Sequence, residues 1–246
     1  MSENALVPVH FEQLPSTQLG TDDQFNELAK GGDYIGRMQL YTKSKVNALG
    51  LIAQGHYGIP ESDQQIIDLG DTVIILPLAR RPKAIDMSDM EALVINYDME
   101  SEVFKAIVER STQTNSHCQF GPSFLVYVPA EGRFVEFFCG NKSSRIEAKK
   151  LFFFLPLSQA DIDAKVAAGN DVSDWKPHGP IPVTLKTKFV ENRKGAWHVP
   201  VVLPCTRPLE KLPSRERVVR EIQRFLAPRD NGVEVVQDDA STDRAR

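Results

Sequence analysis

The stretch Ser123-Phe124-Leu125-Val126-Tyr127-Val128, then Pro129-Ala130-Glu131-Gly132, then Arg133-Phe134-Val135-Glu136-Phe137-Phe138-Cys139 decides the fold class. Both flanks are rich in β-branched and aromatic residues, and the four residues between them bring the proline and glycine that a reversal uses. A hairpin is therefore expected. A second one follows further on. Val183 to Val190 alternates apolar residues with Thr or Lys, Glu191-Asn192-Arg193-Lys194-Gly195 turns, and Ala196 to Leu203 returns. Side chains alternate across a strand, so Lys186 and Lys188 project from one face of that hairpin. Thr72 to Leu78 and Ala92 to Tyr97 add two further short apolar runs bounded by turn residues. The expected class is α+β and β-dominated: an OB-like open barrel or sandwich with capping helices and flexible termini.

Helix signals punctuate these strands. Ser101 can cap a helix from Glu102 to Arg110, and Ser144 with Glu147 has the spacing of a capping box opening a helix through Phe154. Ser158 with Asp161 repeats that spacing. Pro213 and Ser214 open a helix to Leu226 that buries Val218, Val219, Ile222, Phe225 and Leu226 and carries Arg215, Arg217, Arg220 and Arg224 on its other face. Residues 1–33 are polar and broken by Pro8, Pro15, Gly20, Gly31 and Gly32, with a short helical patch near Asp22 to Ala29. They read as a mobile arm. Residues 34–229 read as one β-rich domain, with a sub-boundary in the linker-like stretch 169–182, and residues 230–246 as an acidic disordered tail.

The charge is unevenly spread. From Lys176 to Arg229 twelve bases face four acids, a local charge of +8 in a chain whose net charge is -4. A cationic lobe on an acidic protein points toward polyanions. The apolar runs around Val73 to Leu78 and Leu151 to Leu157 fall far short of the roughly 20 residues that span a bilayer, and the N-terminus lacks the pattern of a secretory signal. Cys118, Cys139 and Cys205 are odd in number and widely spaced, which fits reduced thiols. The expected compartment is a cytoplasm, bacterial or that of an infected host.

Three constellations are candidates for contact with a polyanion. On the second hairpin, Lys186, Lys188, Arg193 and Lys194 accompany Trp197 and His198, the pairing of cation and aromatic ring that single-strand binding uses to hold phosphates and stack bases. Arg80, Arg81 and Lys83 follow a strand, and Pro82 among them keeps the backbone extended, so the three cations are expected near the strand end. Gly140-Asn141-Lys142-Ser143-Ser144 lies between a strand and a helix. It lacks the glycine spacing of a nucleotide-binding loop, but amides at the helix start, with Lys142 and Arg145, can hold a phosphate. Phe134, Phe137 and Tyr127 would extend a stacking platform wherever strand alternation turns them outward.

In plan, a β-barrel with basic and aromatic strands followed by an acidic tail resembles phage and bacterial single-stranded-DNA-binding proteins. The resemblance implies non-catalytic binding of single-stranded nucleic acid, most simply DNA, in replication, recombination or repair, with no cofactor. The acidic tail is then a contact for a protein partner, and self-association is open. Two other readings stand beside it. One is a structural or assembly protein, phage or mobile-element encoded, whose cationic lobe docks an acidic partner. The other is a metal-dependent nuclease drawing on Asp68, Asp71, Asp86, Asp89 and Glu91, or on Glu147-Ala148-Lys149.

Overall fold

A computed structural model describes residues 35–42, 45–62, 64–89, 93–114, 116–172, 174–192, 195–209, 211–227 and 233–236. It is a mixed α+β, strand-dominated structure built on a large open sheet. The strands are β1 (Arg37–Tyr41), β2 (His56–Ser62), β3 (Gln65–Gly70), β4 (Thr72–Asp86), β5 (Leu93–Asn96), β6 (Cys118–Val128), β7 (Arg133–Phe138), β8 (Val183–Asn192), β9 (Gly195–Pro204) and β10 (Val233–Val236). Helices are α1 (Lys45–Ala48), α2 (Glu102–Arg110), α3 (Lys142–Leu151), α4 (Gln159–Ala167) and α5 (Arg215–Leu226), with a 3-10 turn over Phe152–Phe154 directly after α3.

Both expected hairpins form. In the first, β6 and β7 pair from Ser123↔Phe138 to Val128↔Arg133, and Gly132 takes a φ of 63° that closes the four-residue loop at little steric cost. In the second, β8 and β9 pair from Val183↔Pro204 to Asn192↔Gly195. The start of β8 also pairs with β4, Ile75↔Val183 to Thr72↔Lys186, so strand pairing joins this hairpin to the body across the expected sub-boundary.

β4 organises the rest. It runs fifteen residues, about twice the expected run, and pairs with β8 first, then with β6 from Leu76 to Asp86, and on its other edge with β5 from Ala84. The register shift at Pro77/Ala79 falls where a proline cannot donate to the ladder. Pro82 does not end the strand. It sits directly opposite Pro122 of β6, a pair in which neither residue has an N–H to give, so the ladder continues through the neighbours on both sides. The remaining order is β10-β5-β4-β6-β7-β1-β2-β3, antiparallel throughout except for β1 beside β7.

The sheet curls. Tyr57 of β2 donates its hydroxyl to the Lys186 carbonyl of β8 at 3.1 Å, joining β2 to the hairpin that pairs with β4, four strands away in the order. Inside the curl lies the largest core, with Met38, Tyr57, Ile75, Phe124, Val126, Phe137, Leu151 and Leu185 among its members, and α3 plugs it through Ala148 and Leu151. On the opposite face of β4, β6 and β7, helix α5 lays down Val218, Ile222 and Phe225 over Leu76, Leu78, Leu125 and Tyr127. A third cluster forms where Phe104 and Ile107 of α2 meet Ala84 and Cys118.

Helix starts follow the sequence closely. Ser101, Ser158 and Ser214 all cap, Ser158 in a full capping box with Asp161. The exception is α3, where Asn141 rather than Ser144 is the cap and accepts from the Ser144 amide at 2.8 Å. Ser144 is then free to be buried in the first turn. The expected acidic tail holds a strand, since β10 pairs with β5 from Val233↔Asn96 to Val236↔Leu93. The rest of the tail, the N-terminal arm and its helical patch lie outside the described residues. All three cysteines are free and buried. Among the described residues, no helix is long and apolar enough to cross a membrane.

Candidate functional site

Alternation along β4 separates Arg80 from Arg81. Arg81, Lys83 and, on neighbouring strands, Ser123 and Glu136 point toward α5, while Arg80, Pro82, Phe120 and Pro122 lie on the other face. The α5 side is closed. Lys83 Nζ is 2.8 Å from Glu136 Oε2, Arg81 Nη2 is 3.3 Å from Glu136 Oε1, and the Ser123 hydroxyl donates to the same oxygen at 2.6 Å. Arg81 also donates to the Phe225 carbonyl at 2.8 Å, with its guanidinium 3.7 Å from the Tyr97 ring centroid and 4.3 Å from that of Phe225. Lys83 is only 1% exposed. Burial pushes its pKa down to about 8, against the pull of Glu136. Burial also opposes the charge on Glu136, but Lys83 and Arg81 outweigh it and hold the carboxylate at about 2.

This arrangement alters the sequence expectation for Arg81 and Lys83. They are not at a strand end but in the middle of a long strand, and their charge is spent on Glu136 rather than presented outward. Such a cluster is held by mutual satisfaction, and removing one member breaks the partner set of the others in a buried site.

The other face is open. There α3 with its 3-10 turn covers one end of the β4–β6 ladder and α2 covers the other, and the strip between them is a groove of about 870 Å³. Pro82, Gly121 and Pro122 form its floor, Phe104 and Val108 of α2 one wall, and Arg145, Lys149 and Phe152 the other. Arg80 lies over the Phe152 ring at 4.2 Å, and Arg145 over the Phe120 ring at 4.0 Å. Arg145 is fixed there by donating from Nη1 to the carbonyls of Phe120, at 2.8 Å, and Gly140, at 3.3 Å. Gly121 is required by packing, because a Cβ on it would collide with the Cys139 carbonyl oxygen. Arg80, Lys105, Arg145 and Lys149 line the groove against the single carboxylate of Glu109, with Arg81 turned away to Glu136. Phe152 is 37% exposed, a large fraction for an aromatic ring beside a core.

Comparison with family models, curated proteins and solved structures gives no match.

Of the residues singled out in the sequence, the structure brings Arg80 and Arg145 together in the groove, with Lys142 exposed at the first turn of α3. Lys186 and Lys188 are exposed on β8, and the register puts Trp197, opposite Val190, on their face; Trp197 is half-buried. This hairpin face is a separate place, since Lys186 stands opposite Thr72, eight residues of β4 and about 26 Å of strand from Arg80. Arg193 and Lys194 lie outside the described residues. The expected aromatic platform does not form: Tyr127 and Phe137 are buried, and Phe134 lies under the Arg217 guanidinium at 5.1 Å. Phe120, Phe152 and Lys105 were not singled out for such a contact, and Lys149 was named only within Glu147-Ala148-Lys149. A signal for Phe152 existed, because three consecutive phenylalanines closing an amphipathic helix cannot all face one core.

The acidic clusters turn to other partners. Asp68 meets His56 at 2.9 Å, Asp86 meets Arg110 at 2.6 Å, and Glu147 meets Lys150 at 2.8 Å and accepts from the Val202 amide. Glu91 lies outside the described residues. Among the described residues, no three His, Cys, Asp or Glu side chains converge.

Proposed function

We propose that this protein binds single-stranded nucleic acid, DNA in the first instance, without catalysis, and that the groove between α2 and α3 is the principal contact. The observation that carries the reading is the pairing of Arg80 with Phe152 and Arg145 with Phe120 across an open cleft. Cations along such a cleft hold phosphates, and aromatic faces stack bases of any sequence. The exposed Lys186 and Lys188 on β8 offer a second, separate electrostatic contact. Replication, recombination and repair are the processes in which a binder of this kind acts. The OB-like barrel belongs to the same proposal: strands β4, β6, β7, β1 and β2, with the β8–β9 hairpin, curl around one core plugged by a helix, as in an open barrel.

Titration of a labelled oligothymidylate, single-stranded and annealed, over a salt series and with and without Mg²⁺ tests the proposal. Single strands should bind more tightly than duplex, with affinity falling steeply as salt rises. Equal affinity for both forms, or no binding at low salt, overturns it, and cleavage only with Mg²⁺ turns the assignment to a nuclease.

A further inference from the structure

Phe152 lines two depressions. On one side is the groove; on the other is a pocket of about 220 Å³ whose walls include Phe153, Leu157, Trp175, Lys176 and His178. The chain that carries Trp175 is fastened there by main-chain bonds. Leu157 and His178 exchange both of theirs, at 2.9 and 3.0 Å, and the Ile181 amide donates to the Phe154 carbonyl at 2.9 Å. Trp175 is nevertheless 44% exposed, and Phe153 is 72% exposed. Lys165 covers part of the indole from α4, with Nζ 5.4 Å from its ring.

Resting on the binding function proposed above, we infer that the single strand continues past Phe152 into a second base-stacking subsite at Trp175. The pocket is smaller than the roughly 300 Å³ at which drug-sized sites begin, which suits one planar ring and excludes a whole cofactor. Its place beside a cation-lined groove, across the shared Phe152 wall, favours a base attached to a polyanion over an isolated apolar group. Trp175 itself is uncharged, so what it contributes is stacking and not charge. The subsite should therefore add affinity without adding to the salt dependence.

The chain has two tryptophans, so Trp197→Phe leaves Trp175 as the sole reporter. In that background, dodecathymidylate should quench the indole emission. Trp175→Ala should weaken dodecathymidylate binding about 5- to 150-fold with an unchanged salt slope, and Trp175→Phe should restore most of the loss. Should the alanine variant fail to fold, quenching and the phenylalanine variant still decide. If dodecathymidylate binds, and binds less well to Arg80→Ala, but leaves Trp175 unquenched and the alanine variant unaffected, the subsite is refuted and the groove stands. If dodecathymidylate does not bind at low salt, both fall.

Discussion

Arg80 and Arg81 are adjacent in the chain and face opposite sides of one strand, the first over an exposed phenylalanine, the second enclosed between Tyr97, Phe225 and Glu136. One peptide bond thus separates a cation available to a ligand from a cation used by the fold.

That separation can be measured. Arg80→Ala should leave thermal unfolding nearly unchanged and lower the slope of log affinity against log salt by about 0.7 for a single strand, one phosphate contact's worth. Arg81→Ala should cost about 3 to 5 kcal/mol of stability, because Glu136 is left with a broken partner set in a buried site. Equal effects of the two substitutions in both assays would contradict the placement.

Glu136 makes the fold acid-sensitive in a definite window. Its folded-state carboxyl sits at about 2, below its ordinary value of 4.5, so the stabilisation is complete above about 4.5 and is lost as pH falls toward 2. The loss over that window should be on the order of 3 kcal/mol. Glu136→Gln should be less stable at neutral pH, since Lys83 and Arg81 lose their counter-charge, and should show a shallower decline on acidification. Denaturant midpoints across the acid range give both readings.

The hairpin face predicts a different pattern. Lys186 and Lys188 are exposed, so replacing both with alanine should change stability by less than about 0.5 kcal/mol and lower the salt slope by roughly 1.4. An unchanged slope would confine the contact to the groove.

Truncation distinguishes strand from tail. Ending the chain after Val236 should preserve the unfolding temperature and strengthen binding slightly at low salt, because Asp238, Asp239 and Asp243 outnumber Arg244 and Arg246 in the segment removed, which is net anionic. Ending it after Ala227 removes the β10–β5 ladder and should cost about 2 kcal/mol, a few net hydrogen bonds. Calorimetry on the two truncations is sufficient.

What could be read from the chain was local. Ser101, the Ser158–Asp161 pair and Ser214 announce their helices because a cap is a bond between residues three apart. Hairpins are nearly as local. Strands β1 to β3 were not anticipated: in β2, Gly58 and Pro60 interrupt the apolar pattern, and the reason for Gly58 lies elsewhere, since a Cβ there would press on Ile52 at 2.6 Å and Ile66 at 2.7 Å. The groove is non-local too. Arg80 and Arg145 were picked out for charge, but only the β4–β6 register and the gap between α2 and α3 bring them to one cleft. Arg81 and Lys83 carried the same charge signal and went to the opposite face, which depends on strand parity through a bulge at Pro77/Ala79.

The opposed prolines at the groove floor have one further consequence. Pro82 and Pro122 contribute no amide hydrogens at the centre of the cleft. On the binding function proposed above, a nucleobase resting there would meet ring carbons below and guanidinium planes beside it, with no main-chain donor at those two positions to read its edge. On that reading the floor would be indifferent to whether the base is purine or pyrimidine, and any preference among bases would have to come from the rims.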